Sequence, residues 1–494
     1  MYEFSIARNI LGNREPSLLM TDGYKFAMAQ AGFPLRTETF YMTFRHGGPW
    51  YIPFDLEKIV EAFLPNLPKD AEKNFLEKSG YRPTPAMRVA LYQGLKVVIR
   101  AAPKGSWVLA KEPILTITGP SFLVSWLEPL VLMLHFPIQV ATEALKGRKE
   151  FPCTCRDEMG IVAETLEVTL SSLAGLQLTD ESVQYRADVA KRLASLINAL
   201  EDKDPKRIFE VGMRACTCMA MHRIALEECK KAGITATSNV FLANELDMVA
   251  VGTTGHEHIQ RWGDDLTACR AMRDMRPQRP SCLPDTFDAM GLGLPAALLS
   301  FLEQPNREGT VRFDSGDQKP QLYAVEGVSQ KLLLNKPNYI FEDGIDEQKI
   351  IRDEDWCREL GIAPERRAFG SGQFIVRAEF TYMTRDRVAA VYKLCKTGDL
   401  PVMKTCATAP TKASVPGVPV TFRRVRVGAC DQAYNSFAGL IGQEGETPPV
   451  GFVSLDSRLG KPDFPVDPME VGFSPETEKL IGDCLKRIAD SQSL

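Results

Sequence analysis

The stretch TVRFDSGD at residues 310–317 joins a short apolar strand to a polar loop. Strand-like segments of the same kind recur from about residue 206 onward, with segments of helical length between them. They lie at residues 207–210, 236–240, 248–251, 310–313, 339–341 and 367–369. Because strands that alternate with helices form parallel sheets, this pattern predicts an α/β fold with a barrel-like centre. In such folds the loops that follow the strands build the functional site.

Sequence of strand character flanks this region on both sides. Residues 95–120 alternate apolar and polar side chains, which predicts a hairpin or a small sheet with its turn at Lys104-Gly105, and strand patterns return after Arg385. We therefore predict that both ends of the chain together form a sheet-rich domain beside the barrel. Its N-terminal part is residues 1–145, the barrel is residues 146–387, and its C-terminal part with the tail is residues 388–494.

The composition excludes several classes of protein. With 44% hydrophobic residues and a net charge of −4, the chain of 494 residues is globular. The 59 basic and 63 acidic residues create no overall field that would attract nucleic acid or an anionic membrane. Twelve cysteines are too few for a disulfide scaffold, and the first residues lack an export leader, so we expect a cytoplasmic protein with reduced thiols. Residues 122–141 are apolar but interrupted, which predicts buried helix and loop.

Two of the loops carry reactive side chains. In VRFDSGD, Arg312, Asp314 and Ser315 follow a strand directly, a set that suits a phosphate, a sugar diol or a metal-bound diphosphate. In VGTTGHEH, glycines precede His256 at a predicted helix start, where an imidazole can act as nucleophile or acid-base group. Taken singly, the first segment also fits an ordinary charged turn and the second a structural histidine.

Three further segments fit the binding of small anions. Gly370 and Gly372 follow a strand and would let backbone N–H groups cradle a phosphate. Arg214 ends another strand and can pair with a carboxylate or phosphate. Near the N-terminus, Asp22 and Tyr24 place a carboxylate beside an aromatic ring. Each segment has an alternative: a plain turn at Gly370 and Gly372, a surface salt bridge at Arg214, and a helix N-cap at Asp22.

The order and content of these clusters resemble the nicotinate phosphoribosyltransferases, with the nicotinamide phosphoribosyltransferases as near cousins. The resemblance spans most of the chain. The motifs that carry it are LLMTDGYKFAMAQAGF, KEPILTITGP, FEVGMR, TSNV, VGTTGH, VRFDSGD, FGSG, VYKL and PVMK, in that order. Several short motifs in a shared order are far more specific than any one of them.

The resemblance implies the irregular α/β barrel of type II phosphoribosyltransferases together with a sheet-rich open sandwich, and an active site at a homodimer interface. It implies that nicotinate and 5-phosphoribosyl 1-pyrophosphate give nicotinate mononucleotide and diphosphate, a salvage step of NAD biosynthesis coupled to ATP hydrolysis. ATP would be a co-substrate, and Mg²⁺ would accompany the diphosphate and ATP. Neither a dedicated set of metal ligands nor a nucleic-acid or membrane partner is expected.

The resemblance also assigns roles to individual residues. His256 matches the histidine that the family phosphorylates transiently from ATP, and Arg312 and Asp314 match residues at the ribose and phosphates. Tyr24 matches a residue at the pyridine ring that would come from the partner subunit. The substrate-binding candidates are Asp22, Tyr24, Arg214, Ser238, Thr253, Ser315, Gly316, Asp343, Gly370 and Gly372.

One segment bears on which pyridine is used. Relatives that use nicotinamide carry an aspartate that accepts a hydrogen bond from the amide, and Ser238 stands in its place here. A carboxylate there would repel nicotinate, so the sequence favours the acid. The FGSG motif and residues 342–346 resemble the nicotinamide branch, which keeps a nicotinamide phosphoribosyltransferase as an alternative. A catalytically silent binding or regulatory homologue is the alternative from another class.

Some positions depart from the family pattern. Glu342 stands at a glycine-like position near the expected phosphate, and Gln373 replaces a threonine common in nicotinate enzymes. The pairs Cys153-x-Cys155 and Cys216-x-Cys218 lack the spacing of zinc ligands, which predicts reduced and mostly buried thiols.

Overall fold

The computed structural model describes residues 2–92, 97–278, 280–405, 413–424, 436–455 and 470–492. Its helices are α1 (Tyr2–Ile10), α2 (Gly23–Gln30), α3 (Leu56–Phe63), α4 (Asp70–Lys78), α5 (Pro85–Tyr92), α6 (Ser121–Trp126), α7 (Glu128–Met133), α8 (His135–Leu145), α9 (Arg156–Thr169), α10 (Ser182–Ala199), α11 (Met219–Lys231), α12 (Val240–Leu246), α13 (His256–Trp262), α14 (Asp265–Met275), α15 (Leu294–Leu302), α16 (Gln318–Lys331), α17 (Glu347–Glu359), α18 (Gln373–Val376), α19 (Arg385–Val388) and α20 (Pro475–Gln492). Its strands are β1 (Thr37–Phe44), β2 (Trp50–Tyr51), β3 (Val98–Ala101), β4 (Trp107–Val108), β5 (Pro113–Pro120), β6 (Glu150–Cys153), β7 (Gln177–Asp180), β8 (Ile208–Glu210), β9 (Ala236–Thr237), β10 (Val249–Ala250), β11 (Ser281–Cys282), β12 (Thr310–Phe313), β13 (Asn338–Phe341), β14 (Arg367–Ser371), β15 (Ala390–Thr397), β16 (Leu400–Pro401), β17 (Pro419–Arg424), β18 (Phe437–Gln443), β19 (Phe452–Ser454) and β20 (Glu470–Phe473).

A curled, parallel sheet of seven strands forms the centre of the molecule. Its order is β10-β9-β8-β14-β13-β12-β11, and every neighbouring pair is parallel. This confirms the α/β fold class, and each strand predicted between residues 207 and 369 belongs to this sheet. Strand β11 was not predicted, because its two residues leave no periodic pattern in the sequence.

Three phenylalanines align the strands nearest the middle of this sheet. Phe313 pairs in register with Phe341, which pairs with Phe369. Their rings lie 5.5 Å and 5.4 Å apart between centroids, and all three are fully buried. Since side chains of parallel strands stack in register, the residues that follow these three rings emerge next to one another at the carboxyl edge of the sheet.

Both ends of the chain share a second, antiparallel sheet, as the sequence predicts. Its order is β16-β15-β1-β5-β3, so that strands from before residue 121 pair with strands from after residue 389. A four-stranded sheet, β19-β17-β18-β20, lies further toward the C-terminus. Lys104 and Gly105 form the predicted turn, but the strands on its two sides do not form a hairpin, because β3 pairs with β5 and β4 pairs with β2.

The consecutive helices α6, α7 and α8 fill the space between the two sheets. They contact β1, β5 and β15 on one side and the Met213–Ala215 turn after β8 on the other. The segment Ser121–Leu145 is long and apolar enough to cross a membrane, yet its most apolar window of 18 residues is entirely buried inside the protein. Packing against the protein's own sheets thus accounts for its apolar character, as predicted.

Candidate functional site

A cavity of about 860 Å³ opens where the parallel strands end, against the antiparallel sheet. Most of the residues that the sequence singled out line it: Asp22, Tyr24, Arg214, Ser238, Thr253, His256, Arg312, Asp314, Asp343, Gly370 and Gly372. Two predicted residues lie behind the lining. Ser315 is fully buried and donates a hydrogen bond to Asp285, and Gly316 forms the turn beside it with a φ of +79°.

One end of the cavity holds an aromatic ring among charged groups, which we call the ring cluster (Asp22, Tyr24, Glu128, Arg214 and Ser238). Ser238 donates a hydrogen bond of 2.6 Å to Asp22, and the Tyr24 hydroxyl donates one of 2.6 Å to Glu128. The Arg214 guanidinium lies 3.5 Å from Asp22, 3.6 Å from Glu128 and 5.6 Å from the centre of the Tyr24 ring. A flat, anionic ligand can stack on this ring and pair with this cation.

Backbone contacts hold the start of α2 in this cluster. The Gly23 N–H donates to the Ser238 carbonyl at 2.8 Å, and a Cβ atom on Gly252 would lie only 2.1 Å from the Tyr24 nitrogen. The fully buried Lys25 pairs with Glu128 at 2.6 Å and with Glu257 at 3.0 Å. The chain's own Tyr24 therefore lies in its own cavity, which differs from the expectation that a partner subunit supplies it.

The middle of the cavity contains a histidine cluster (His256, Asp285, Thr286, Asp314 and Lys404). Nε2 of His256 lies 3.1 Å from Asp314 and 2.7 Å from the Lys404 ammonium, and Nδ1 lies 3.1 Å from the Thr286 hydroxyl. Lys404 also lies 3.4 Å from Asp285. His256 begins α13, so the glycine-rich loop before it positions the ring at a helix N-terminus, as predicted.

The environment of His256 favours its neutral form. Burial lowers the pKa of His256 below its ordinary value; Lys404 lowers it further, while Asp285 and Asp314 oppose the change. Burial alone would raise the pKa of Asp314, but Arg312 and His256 outweigh it and hold that pKa well below the usual range. A neutral imidazole next to an ionised carboxylate can act as a nucleophile or as a base.

His256, Asp285 and Asp314 could also ligate a metal ion, because their ligand atoms lie within 4.8 Å of one another. The Lys404 ammonium contacts two of these three residues, His256 and Asp285. Its positive charge opposes a cation at this point and already compensates the carboxylates. The ammonium therefore disfavours a resident metal ion at this cluster.

Arg312 and two glycines line the far side of the cavity. The Arg312 guanidinium donates to the Thr253 hydroxyl at 3.0 Å, the Thr254 carbonyl at 2.5 Å and Asp314 at 2.9 Å. A Cβ atom on Gly370 would lie 2.8 Å from the side chain of Glu342, and one on Gly372 would lie 2.8 Å from the Val211 carbonyl. No larger residue fits either position without a shift of these neighbours.

Several cavity residues escaped the sequence-based prediction of the site. Arg45, Lys393 and Lys404 reach the cavity from the sheet-rich part of the chain, and Arg385 reaches it from the end of the barrel region. Burial lowers the pKa of Lys393 to about 7, and Glu128 opposes that change, so a bound anion would favour the charged lysine. A signal existed, since Lys393 and Lys404 are the lysines of the VYKL and PVMK motifs, and Glu128 is a lone acid in an apolar stretch.

Comparisons with known proteins agree with this architecture. No protein-family model matches the sequence. The nicotinate phosphoribosyltransferases of Bos taurus and Mus musculus are 23% and 25% identical to it over 439 and 444 residues, covering 82% of this chain and 76% of each relative. The crystal structure of a nicotinate phosphoribosyltransferase from Vibrio cholerae matches with a TM-score of 0.58, 19% identity and coverage of 82% of this chain and 92% of that one. The enzyme from Porphyromonas gingivalis matches with a TM-score of 0.52, 18% identity and coverage of 77% and 90%.

Proposed function

We propose that this chain, which is similar over most of its length to nicotinate phosphoribosyltransferases, joins nicotinate to 5-phosphoribosyl 1-pyrophosphate, a salvage step of NAD biosynthesis. One observation carries the proposal. A single cavity brings the ring cluster, the histidine cluster and the Arg312 and Gly370 edge together at the carboxyl ends of parallel strands. These three parts suit a pyridine carboxylate, a transferred phosphoryl group and a sugar phosphate respectively.

In the proposed reaction the ring nitrogen of nicotinate bonds to C1 of the ribose. The bond from C1 to the diphosphate oxygen breaks, and the diphosphate leaves with the electron pair. Arg214 would pair with the nicotinate carboxylate while the Tyr24 ring faces the pyridine, which aligns a weak nucleophile for attack. The cationic residues Arg45, Lys393 and Lys404 would stabilise the departing diphosphate. Mg²⁺ would enter with the diphosphate and neutralise part of its charge.

We propose further that ATP hydrolysis drives this synthesis through His256. The neutral imidazole would attack the γ-phosphorus of ATP, ADP would leave, and water would later hydrolyse the phosphohistidine to release phosphate. Lys404, at 2.7 Å from Nε2, would compensate the charge of the phosphoryl group. The ionised Asp314 would accept a hydrogen bond from the ribose.

A homodimer in the cytoplasm is the setting that we propose for this activity. The family resemblance supports the dimer. The free state and burial of Cys153, Cys155, Cys216, Cys218 and six other described cysteines are compatible with a reducing compartment.

A product assay tests the proposal directly. Purified protein is incubated with 5-phosphoribosyl 1-pyrophosphate, Mg²⁺ and either nicotinate or nicotinamide, with and without ATP. We expect nicotinate mononucleotide and diphosphate, with turnover of the acid well above that of the amide. A preference for the amide would instead identify a nicotinamide enzyme and overturn the interpretation of Ser238. Absence of product with either pyridine would favour a silent homologue.

The role of His256 is tested with ATP labelled at the γ-phosphate. His256→Ala is expected to abolish labelling of the protein and stimulation by ATP, while some synthesis without ATP remains. His46→Ala is the control, because the His46 side chain does not line the cavity. Equal labelling of the wild type and His256→Ala would contradict the assignment.

A further inference from the structure

Glu342 lies at the point where a phosphate cradle is expected. It directly follows Phe341, which pairs in register with Phe313 and Phe369 of the neighbouring strands. Asp314, Glu342 and Gly370 therefore emerge side by side at the carboxyl edge of the sheet. The Glu342 N–H donates to the Phe313 carbonyl at 2.9 Å, which fixes the position of its backbone between the other two.

The side chain of Glu342 lies over Gly370 and beside Arg312. Its Cγ atom lies 2.8 Å from the point where a Cβ on Gly370 would be, and its Oε2 atom lies 3.3 Å from Nε of Arg312. The side chain is only 12% exposed but still lines the cavity. Glu342 thus covers the Gly370 backbone and pairs with Arg312. These are the two groups that would receive a phosphate.

The groups that face Glu342 come from several elements and include both positive and negative charges. They are Arg312 and Asp314 at the end of β12, Arg214 after β8, Asp22 before α2, and the adjacent Asp343. Burial raises the pKa of Glu342 to about 7, the Arg312 guanidinium opposes this, and Asp314 adds to it. Near neutral pH the carboxyl group therefore changes charge beside the expected phosphate position.

We propose that Glu342 determines how strongly this site accepts the 5-phosphate of its sugar substrate, an inference that rests on the proposed function. The ionised carboxylate repels the phosphate from the Gly370 backbone and competes with it for Arg312. The protonated side chain carries no charge and can donate a hydrogen bond to a phosphate oxygen. Affinity for the sugar phosphate is then set by the fraction of Glu342 that is protonated.

The test measures binding of 5-phosphoribosyl 1-pyrophosphate and of ribose 5-phosphate by calorimetry at pH 6, 7 and 8, without any pyridine. For Glu342→Gln we expect affinity about tenfold above the wild type at pH 8 and less than about twofold above it at pH 6, because only the wild type loses its neutral form. Glu342→Ala, which also removes the charge, should tighten binding at pH 8 as well. Binding of ribose without a phosphate should not change.

Glu308→Gln is the matched control. Glu308 lines the same cavity but precedes β12, at the opposite end of the strands from Gly370, and its loss should leave both affinities unchanged. Equal or weaker binding by Glu342→Gln and Glu342→Ala at pH 8 would overturn the role of Glu342, while product formation by the wild type would leave the proposed function standing. Absence of sugar-phosphate binding in all of the proteins would overturn both.

Discussion

The Lys404 ammonium lies 2.7 Å from Nε2 of His256, closer than either carboxylate that contacts this atom. A cation at this distance opposes protonation of the imidazole, and it acts in the same direction as burial. Both effects keep the pKa of His256 below its ordinary value, so more than half of the imidazole is neutral at pH 6.5. The proposed phosphorylation by ATP, which needs the neutral ring, should therefore persist in mildly acidic solution.

The variant Lys404→Met should shift this behaviour toward higher pH. Removal of the cation leaves Asp285 and Asp314 to stabilise the imidazolium, so the pKa of His256 rises and the neutral fraction at a given pH falls. We expect the acid limb of labelling from ATP to move to higher pH. Labelling rates between pH 5 and pH 8 measure it. Lys396→Met serves as control, because Lys396 does not line the cavity, and an unmoved limb in Lys404→Met would contradict the explanation.

At this scale the sequence predicts best those site residues that end or directly follow a strand. Arg312 and Gly370 lie at the ends of β12 and β14, and Asp314 directly follows β12, so chain order alone gives their position at the carboxyl edge of a parallel sheet. Lys404 belongs to the PVMK motif, but no local pattern places it or Asp285 beside His256, since both reach this ring only through the packing of the antiparallel sheet and of the loop after β11 on the barrel. Tertiary contacts between distant segments cannot be inferred from local patterns.

The contact between α2 and the loop after β10 determines where both Tyr24 and His256 lie. Gly252→Ala would place a Cβ atom 2.1 Å from the Tyr24 nitrogen and 2.5 Å from the Gly23 carbonyl carbon, both in the backbone. Because backbone atoms cannot rotate away, we expect a loss of roughly 1–3 kcal/mol in the free energy of unfolding. Displacement of Tyr24 should also raise the KM for nicotinate.

Urea unfolding and steady-state kinetics check this prediction. Gly327→Ala is the matched control, since Gly327 is exposed within α16 and a Cβ atom there would meet nothing within 4 Å. An alanine in an open helical position should instead add about 0.5–1 kcal/mol of stability. Similar unfolding curves for Gly252→Ala and Gly327→Ala would mean that the close approach at Gly252 does not determine the stability of the protein.

Among the elements, strands that alternate with helices were predictable, and pairing between distant strands was not. Strands β8, β12 and β14 stand out because an apolar run ends abruptly in small or polar residues. The hairpin expected at Lys104-Gly105 fails for a nonlocal reason. Strand β4 pairs with β2 and not with β3, which precedes it in the chain. Strand β5 lies between β3 and β1 in the sheet.

Across the whole molecule, buried charges join the sheet-rich part to the barrel. Arg261 of α13 donates to Glu38 of β1 at 2.9 Å, and Lys25 of α2 pairs with Glu257 of α13 at 3.0 Å. All four side chains are nearly or fully buried. Loss of one partner would leave an uncompensated buried charge, so these pairs fix the two parts relative to each other. One chain thereby brings Tyr24 and His256 into the same cavity.

Mixed dimers test whether each site is built from one chain. Tyr24→Ala and Asp314→Asn, each expected to be nearly inactive, are co-expressed with different tags, and the species carrying both tags is purified. If each chain completes its own site, both sites keep one defect and activity stays at the level of the parents. If Tyr24 came from the partner subunit, one site would be fully native and about half of the wild-type activity would return. We expect the first result, because the close approach at Gly252 and the Lys25 ion pairs hold Tyr24 against its own barrel.

A second mixture pairs the wild type with the variant that carries both Tyr24→Ala and Asp314→Asn. If each chain completes its own site, this mixture keeps about half of the wild-type activity. The opposite result in both mixtures, activity in the first and none in the second, would show that the subunits exchange this segment.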